Sequence, residues 1–291
     1  MDDAGAAAPA ARTIRVGEID LRVLDQGEGP AVVLLHGFPD RAEEWRHVAT
    51  LLRAGGRRTI APDLRGFGDS SAPGARAAYR IDRVLGDLDG LLDALGLSAA
   101  PIDVVGHDWG AVVGWAWCLQ RPDRIRRFVA VSVGHPSAYL RAGLEQKRKG
   151  LYMLVCQVPW ITERLLARDG WRRLRAFMSA SPDLEREIAD LSRPGRLTAG
   201  LNWYRANVFS GVRRRLPRCR VPTLGVWSSG DRYLAEDQMR DSDRHMDAEW
   251  RYERLDGVGH WIPLQAPDRL AELTLEWLDG RPAAVHGSAS A

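Results

Sequence analysis

A short segment between an apolar strand and a helix holds the side chain with the clearest chemical potential. The pentapeptide 106–110, Gly-His-Asp-Trp-Gly, follows the apolar stretch 102–105 and precedes a segment whose apolar residues recur at helical spacing. A chain that turns sharply from strand to helix constrains the residue at the apex, and small flanking residues such as Gly106 and Gly110 let the two elements approach closely. Asp108 stands at this apex and is therefore a candidate nucleophile.

The type of residue at the apex decides which bonds such a site could break. An aspartate side chain in water has a pKa of about 3.9, so it is ionised at neutral pH and needs no base before it attacks. Attack of a carboxylate on an ester carbonyl would give a reactive anhydride, whereas attack on a saturated carbon gives a stable alkyl ester. The expected target of Asp108 is therefore an epoxide or a carbon–halogen bond.

Two further ionisable residues follow predicted strands near the end of the chain. Asp231 comes after the stretch 223–227, and His260 comes after the stretch 250–255. The carboxyl ends of parallel strands share one edge of a sheet, so both residues are expected near Asp108. The chain order of nucleophile, acid and histidine is the one found in hydrolases with this turn. His260 would activate a water against the alkyl ester, and Asp231 would stabilise the imidazolium that forms.

The two steps also need groups that stabilise developing negative charge. Hydrolysis of the ester passes through a tetrahedral oxyanion, for which the backbone N–H groups of Phe38 and Trp109 are the expected donors. Opening an epoxide releases an alkoxide, which leaves poorly unless an acid such as a phenol donates to it. A halide needs only N–H donors. Tyr152 and Tyr204 are the candidate phenols.

The elements that would carry these residues follow an alternating pattern. Continuous apolar strands alternate with amphipathic helices between residues 31 and 133 and again between 223 and 278. This rhythm predicts an α/β fold with a mostly parallel sheet of eight strands and helices on both faces.

The pattern changes in the middle of the chain and at both ends. Residues 135–217 show short helical segments rich in Trp, Tyr and Leu, which predicts a helical cap inserted into a core of residues 13–134 and 218–280. The small-residue stretches 1–12 and 281–291 are predicted to be disordered tails. We expect apolar cap side chains to line the substrate pocket, with Leu154, Trp160 and Trp203 as the candidates.

Composition limits the classes of partner. A net charge of +3 spread over 291 residues argues against nucleic acid, and no apolar stretch is long enough to span a membrane. The three cysteines, Cys118, Cys156 and Cys219, form no metal-binding or redox motif. The first residues lack the basic and apolar regions of a secretory signal. We therefore expect a cytoplasmic protein that uses no metal or organic cofactor, with its oligomeric state left open.

Together these residues resemble the epoxide hydrolases of the α/β-hydrolase fold superfamily, whose aspartate nucleophile is shared with haloalkane dehalogenases. The segments that carry the resemblance are His36-Gly37-Phe38-Pro39, the Asp108 turn, Tyr152 to Pro159, Asn202-Trp203-Tyr204-Arg205, the Asp231 loop and Gly259-His260-Trp261-Ile262-Pro263. The resemblance implies that Asp108 is the nucleophile, that His260 and Asp231 activate water, and that Tyr152 and Tyr204 donate to the epoxide oxygen. The substrate would be an apolar aliphatic or aryl epoxide, which water converts to a vicinal diol.

The resemblance also implies a cis peptide bond before Pro39, and it includes one difference from the family pattern. The polar pair Ser228-Ser229 precedes Gly230, where a glycine is expected sooner.

Two alternative functions remain at this stage. A haloalkane or haloacetate dehalogenase would share the aspartate turn. Haloalkane enzymes often have Asn where this chain has Phe38, and haloacetate enzymes often have Arg where it has Trp109. A non-catalytic relative that only binds a small ligand is the second alternative, and the intact Asp108, Asp231 and His260 argue against it.

Overall fold

The computed structural model describes residues 11–209 and 216–281, and one eight-stranded sheet runs through this part of the chain. The strands are β1 (Ala11–Val16), β2 (Ile19–Gln26), β3 (Ala31–Leu35), β4 (Arg58–Pro62), β5 (Ile102–His107), β6 (Ile125–Val131), β7 (Thr223–Ser228) and β8 (Trp250–Leu255). Their order in the sheet is β1-β2-β4-β3-β5-β6-β7-β8. The pairs β1/β2 and β2/β4 are antiparallel, and every other neighbouring pair is parallel.

Helices cover both faces of this sheet. Outside the insertion they are α1 (Arg46–Ala54), α2 (Ile81–Ala94), α3 (Trp109–Gln120), α10 (Glu236–Arg240), α11 (Ile262–Gln265) and α12 (Pro267–Leu278). Short 3₁₀ turns span Ala42–Trp45, Arg76–Tyr79, Pro122–Arg124 and Asp241–His245.

Successive side chains of a strand point to opposite faces of the sheet, so an apolar strand covered by helices on both sides contributes to two core clusters. In β3, Val33 and Leu35 join a core cluster that includes residues of α2 and α3. Val32 and Leu34 join a second cluster, formed with α1 and α12 on the opposite face. The predicted α/β architecture, with its mostly parallel eight-stranded sheet between two helical layers, is confirmed.

The insertion between β6 and β7 is helical in its described residues. We refer to its helices as the cap helices: α4 (Pro136–Arg141), α5 (Leu144–Lys149), α6 (Tyr152–Cys156), α7 (Ile161–Phe177), α8 (Leu184–Ser192) and α9 (Arg196–Asn207). Helix α7 is interrupted, since residues 168–171 leave the helical backbone region. The cap helices contact the core through polar as well as apolar groups. For example, Trp203 Nε1 donates to the Arg65 carbonyl over 3.1 Å.

Two residues assigned above to the N-terminal tail belong instead to the sheet. Ala11 pairs with Leu24 and Arg12 with Val23 in the β1/β2 ladder, and the Arg12 guanidinium forms an ion pair with Asp25. The backbone hydrogen bonds of this ladder order the two residues despite their small or charged side chains. At the other end, the Arg281 N–H donates to the Glu276 carbonyl over 2.9 Å, so Arg281 continues the end of α12. The other predicted tail residues, 1–10 and 282–291, lie outside the described part of the chain.

Across the described residues, every helix is either too short or too polar to cross a lipid bilayer.

Candidate active site

The Asp108 turn joins the carboxyl end of β5 directly to α3. Asp108 has φ 50° and ψ −118°, a backbone conformation that residues other than glycine rarely adopt. The flanking glycines are required by close packing. A Cβ at Gly106 would lie 2.5 Å from the Gly110 carbonyl oxygen, and a Cβ at Gly110 would lie 2.0 Å from the Leu35 carbonyl oxygen. The turn therefore holds the Asp108 carboxylate above the sheet edge, as the spacing of the pentapeptide predicted.

The loops after β7 and β8 bring an acid and a histidine to this carboxylate. His260 Nδ1 lies 2.8 Å from Asp231 Oδ2, and His260 Nε2 lies 3.8 Å from Asp108 Oδ2. Asp231 Oδ1 accepts hydrogen bonds from the N–H groups of Tyr233 (2.8 Å) and Leu234 (2.9 Å). Burial opposes ionisation of Asp231, but the adjacent imidazole and these N–H donors outweigh it and lower the pKa of the carboxyl. An ionised Asp231 can orient the His260 ring and stabilise a positive charge on it.

The polar pair that differs from the family pattern supports the histidine loop. Ser228 Oγ donates to the Gly259 carbonyl over 2.7 Å, and Ser229 Oγ accepts from the Gly257 N–H over 3.0 Å. These two hydroxyls therefore connect the end of β7 to the segment that immediately precedes His260.

Backbone donors lie on the other side of the Asp108 carboxylate. The Phe38 N–H donates to Asp108 Oδ1 over 3.0 Å, and the Phe38–Pro39 peptide bond is cis, as the resemblance implied. Trp109 is the first residue of α3. Its N–H belongs to the first turn of the helix, where donors have no intrahelical partner.

The two candidate phenols come from different cap helices and meet above the carboxylate. Tyr152 begins α6 and Tyr204 lies within α9, and their ring centroids are 6.0 Å apart. The Tyr204 ring also packs edge-on against Trp109 at 5.1 Å and Phe38 at 5.6 Å. Burial and the nearby Asp108 carboxylate raise the pKa of both phenols well above the usual value. Both hydroxyls therefore stay protonated at neutral pH and can donate.

Two cavities meet at this group of side chains. The larger has a volume of about 770 Å³ and reaches an exposed rim at Arg80, Asp82 and Gln120. Its inner lining is mainly apolar and includes Trp109, Val112, Ala116, Leu119, Tyr139 and Met153. The smaller has a volume of about 20 Å³ and is lined by Phe38, Phe177, Met178, Tyr233, His260 and Trp261. Asp108, Tyr152 and Tyr204 line both cavities.

The family of the chain follows from its similarity to known proteins. A sequence model of the Alpha/beta hydrolase family matches residues 32–273. The chain belongs to the α/β-hydrolase family. The hydrolase is 31% identical to AB hydrolase superfamily protein YfhM of Bacillus subtilis, over 91% of this chain and 96% of that protein. It is also 31% identical to epoxide hydrolase A of Mycobacterium tuberculosis, over 94% and 98% of the two chains.

Solved structures give the same result. The crystal structure of epoxide hydrolase A from Mycobacterium thermoresistibile superimposes on this α/β-hydrolase with a TM-score of 0.79 and 29% identity, over 95% of this chain and all of the other. The resemblance to epoxide hydrolases that the motifs indicated is therefore confirmed.

The three residues predicted to line the substrate pocket lie elsewhere in the hydrolase. Leu154 is 52% exposed and Trp160 is 80% exposed, on the outer surface of the cap helices. Trp203 is fully buried behind the active site, where it packs against Trp109 at 5.7 Å. The prediction was wrong because an apolar pattern shows which face of a helix is buried. It does not show which cavity, if any, that face lines.

A buried ion pair beneath the site was not predicted from the sequence, which suggested no chemical role for His107. His107 Nδ1 hydrogen-bonds to the Glu44 carboxylate, and His107 Nε2 lies 2.9 Å from the His260 carbonyl oxygen. Burial lowers the pKa of His107, but the Glu44 carboxylate outweighs burial and raises it to about 9. At neutral pH His107 is therefore a cation that donates to the backbone of the catalytic loop. The sequence signal was a histidine at the end of a mainly apolar strand, where a buried side chain of this type requires a polar partner.

A second missed cluster joins the cap helices to the core loop that carries Phe38. Arg186 in α8 forms a 3.1 Å ion pair with the buried Asp40, and Asp40 Oδ2 accepts from Trp261 Nε1 over 3.0 Å. Glu187 is buried beside Asp40. Burial and the Glu187 carboxylate raise the pKa of Asp40, and burial raises the pKa of Glu187 to about 7.

Proposed function

We propose that this α/β-hydrolase is an epoxide hydrolase that adds water to an apolar aliphatic or aryl epoxide and releases a vicinal diol. The observation that carries the proposal is the pair of inward-facing phenols, Tyr152 and Tyr204, above the Asp108 carboxylate. Similarity to epoxide hydrolases over nearly the whole chain supports it. A halide would not need these proton donors, so the dehalogenase alternative has less support.

In the first step, Asp108 is the nucleophile. Its Oδ1 accepts from the Phe38 N–H, which leaves Oδ2 to attack a ring carbon of the epoxide. The new C–O bond forms as the bond from that carbon to the ring oxygen breaks, and the bonding electrons move to the ring oxygen. Tyr152 or Tyr204 donates a proton to this oxygen, so the product of the step is a hydroxyalkyl ester of Asp108. General acids in such positions contribute about 10²- to 10⁴-fold in rate.

In the second step, His260 is the base. It takes a proton from a water molecule, whose oxygen attacks the ester carbonyl carbon, and Asp231 stabilises the imidazolium. The resulting oxyanion on Oδ1 is held by the N–H groups of Phe38 and Trp109. Collapse of this intermediate breaks the bond between the carbonyl carbon and the alkoxy oxygen. The imidazolium gives its proton to the alkoxy oxygen, and the diol leaves. Asp108 emerges as a carboxylic acid, and its proton returns to the tyrosinate left by the first step, so that the carboxylate and both phenols are regenerated.

A direct comparison of substrate classes tests the proposal. Purified enzyme is assayed with a panel of small apolar epoxides and a matched panel of haloalkanes, with diol and halide measured separately. We expect diol from the epoxides, no halide release, and loss of all turnover in Asp108→Asn, which keeps the shape of the side chain. Halide release without diol formation would overturn the proposal in favour of a dehalogenase. Absence of both products would favour a ligand-binding relative.

Three finer assignments belong to the same proposal. We assign residues 135–217 to a cap over a core of 11–134 and 218–281, because the phenols come from this insertion and the other reactive groups from the core. Cytoplasmic location is supported by Cys118, Cys156 and Cys219, which are all buried free thiols. The small-molecule substrate and water are the partners that the reaction needs.

A further inference from the structure

The reactive carboxylate lies at the boundary between two cavities of very different size. Asp108, Tyr152 and Tyr204 line both cavities, so an epoxide held between the phenols and the carboxylate faces a volume of about 770 Å³ on one side. On the other side, beside His260, the volume is about 20 Å³. A cavity needs about 10–15 Å³ to hold one water molecule. The smaller cavity therefore has room for about one water.

The walls of the smaller cavity are held in place by hydrogen bonds and ring packing. The Tyr233 hydroxyl donates to the Phe177 carbonyl over 2.5 Å, and the rings of these two residues are 4.9 Å apart. Trp261 is fixed by its hydrogen bond to Asp40. Met178, which closes the remaining side, is 1% exposed within a packed cluster. Because these side chains are packed and bonded, the cavity does not widen by a simple rotamer change.

The smaller cavity is also where the water of the second step must lie. His260 is one of its walls, and His260 Nε2 is the atom that takes the proton from that water. A substituent in this cavity would clash with Met178 and Trp261, and it would displace the water needed to hydrolyse the ester.

On the basis of the proposed function, we propose that the enzyme is selective for terminal epoxides, whose single apolar substituent occupies the larger cavity. A trans-1,2-disubstituted epoxide directs its two substituents to opposite sides of the ring. One of them would have to enter the cavity beside His260. Epoxides of this second class are therefore poor substrates, however apolar they are.

Two isomers of equal composition test this selectivity. The compounds 1,2-epoxyoctane and trans-4,5-epoxyoctane have the same atoms, but only the second carries a propyl group on each ring carbon. A single misplaced methylene in an apolar pocket costs about 10- to 200-fold in kcat/KM. We therefore expect kcat/KM of the wild-type enzyme for the terminal isomer to exceed that for the trans isomer by at least about 10²-fold.

A pair of variants tests whether the smaller cavity is the cause. Met178→Ala removes side-chain volume from its wall and is expected to narrow the ratio between the two isomers by about 10-fold or more. Leu174→Ala removes a buried side chain of the same cluster that lines neither cavity, and it should leave the ratio within about 3-fold of wild type. Circular dichroism checks that both variants are folded. The ratio of kcat/KM for the two isomers in the wild-type enzyme tests the selectivity even if a variant does not fold.

The outcomes separate this inference from the function on which it rests. Equal turnover of the two isomers by the wild type, or an unchanged ratio in a folded Met178→Ala enzyme, would overturn the selectivity proposal and leave epoxide hydrolysis intact. If neither isomer is opened and no other epoxide is, the proposed function fails and the selectivity fails with it.

Discussion

At the scale of single residues, the site combines a carboxylate with neutral phenols. In the proposed mechanism Asp108 attacks without help from a base. Its Oδ1 accepts a hydrogen bond from the Phe38 N–H. Tyr152 and Tyr204 stay protonated because burial and the Asp108 charge raise their pKa values. His260 accepts support from the Asp231 carboxylate at 2.8 Å, and its Nε2 lies 3.8 Å from Asp108 Oδ2, so a water bound beside this atom can reach the ester carbonyl. Each residue thus has an environment suited to one step.

Removing the phenols is expected to slow the first step and leave the second unchanged. Tyr152→Phe or Tyr204→Phe should lower the rate of Asp108 alkylation, and the double variant should lower it by about 10²- to 10⁴-fold. The measurement is single-turnover kinetics with an epoxide substrate. Tyr139→Phe is a matched control on α4, since Tyr139 lines the larger cavity but not the smaller one. Unchanged alkylation in the double variant would contradict the assignment of the two phenols.

Removing the base is expected to trap the covalent intermediate. In His260→Gln the carboxylate and the phenols remain, so Asp108 should still be alkylated while hydrolysis of the ester nearly stops. Intact-protein mass spectrometry after mixing with substrate should show a mass increase equal to that of the epoxide, located on the peptide that contains Asp108. Asp108→Asn combined with His260→Gln is the control and should show no increase. An unmodified His260→Gln enzyme that still forms diol would rule out the covalent route.

At the scale of elements, the sheet edge explains why distant segments meet. The residues of the site follow β3, β5, β7 and β8. The mainly apolar runs of β3, β5 and β7 were recognisable in the sequence because both faces of these strands are buried. The edge strand β8 instead alternates aromatic and charged residues. The order of the strands also made Asp231 and His260 predictable. The Glu44–His107 pair was not predictable, because the partners are 63 positions apart and Glu44 lies on an ordinary amphipathic segment.

The buried His107–Glu44 pair links stability to pH through the turn after β5. The pKa of His107, about 9, lies above the ordinary histidine value of about 6.5. The contribution of the pair to stability is therefore complete below about pH 6.5 and is lost as pH rises through about 9. The largest slope is about 1.4 kcal/mol per pH unit. Thermal unfolding from pH 6 to 10 should show a decline in Tm that Glu44→Gln reduces. The pair is not the cause if Glu44→Gln keeps the same decline between pH 7 and 9.5.

At the scale of the whole molecule, the cap helices and the core are joined by charged and polar contacts around the active site. Arg186 and Glu187 of α8 meet Asp40 of the core, and Arg46 of α1 pairs with Asp183 over 2.6 Å. The existence of the helical insertion was predictable from the loss of strand patterns after β6. Which faces of its helices point inward was not predictable, as the exposed Trp160 demonstrates. Its position depends on a backbone with φ 61°, which no local apolar period encodes.

The buried Glu187 should make the contact between cap and core sensitive to pH. Its pKa of about 7 lies above the ordinary glutamate value, so its contribution to stability is complete below about pH 4.5 and is lost as pH rises through about 7. Glu187→Gln removes this titration, and its Tm relative to wild type should increase between pH 5 and 8. Glu185→Gln is the matched control on the same helix, with a side chain that is 77% exposed. Parallel curves for wild type and Glu187→Gln would refute the link.

The two tyrosines proposed as proton donors and the remaining groups of the proposed mechanism lie on separable lengths of polypeptide. In that mechanism the groups that form and hydrolyse the ester lie outside the segment that joins β6 to β7. The two phenols that protonate the departing oxygen lie within this segment. A chimaera that exchanges only this stretch with that of a relative would therefore inherit a new leaving-group preference together with an unchanged hydrolytic apparatus. Divergence of substrate range within such enzymes can thus proceed by exchange of one contiguous gene segment.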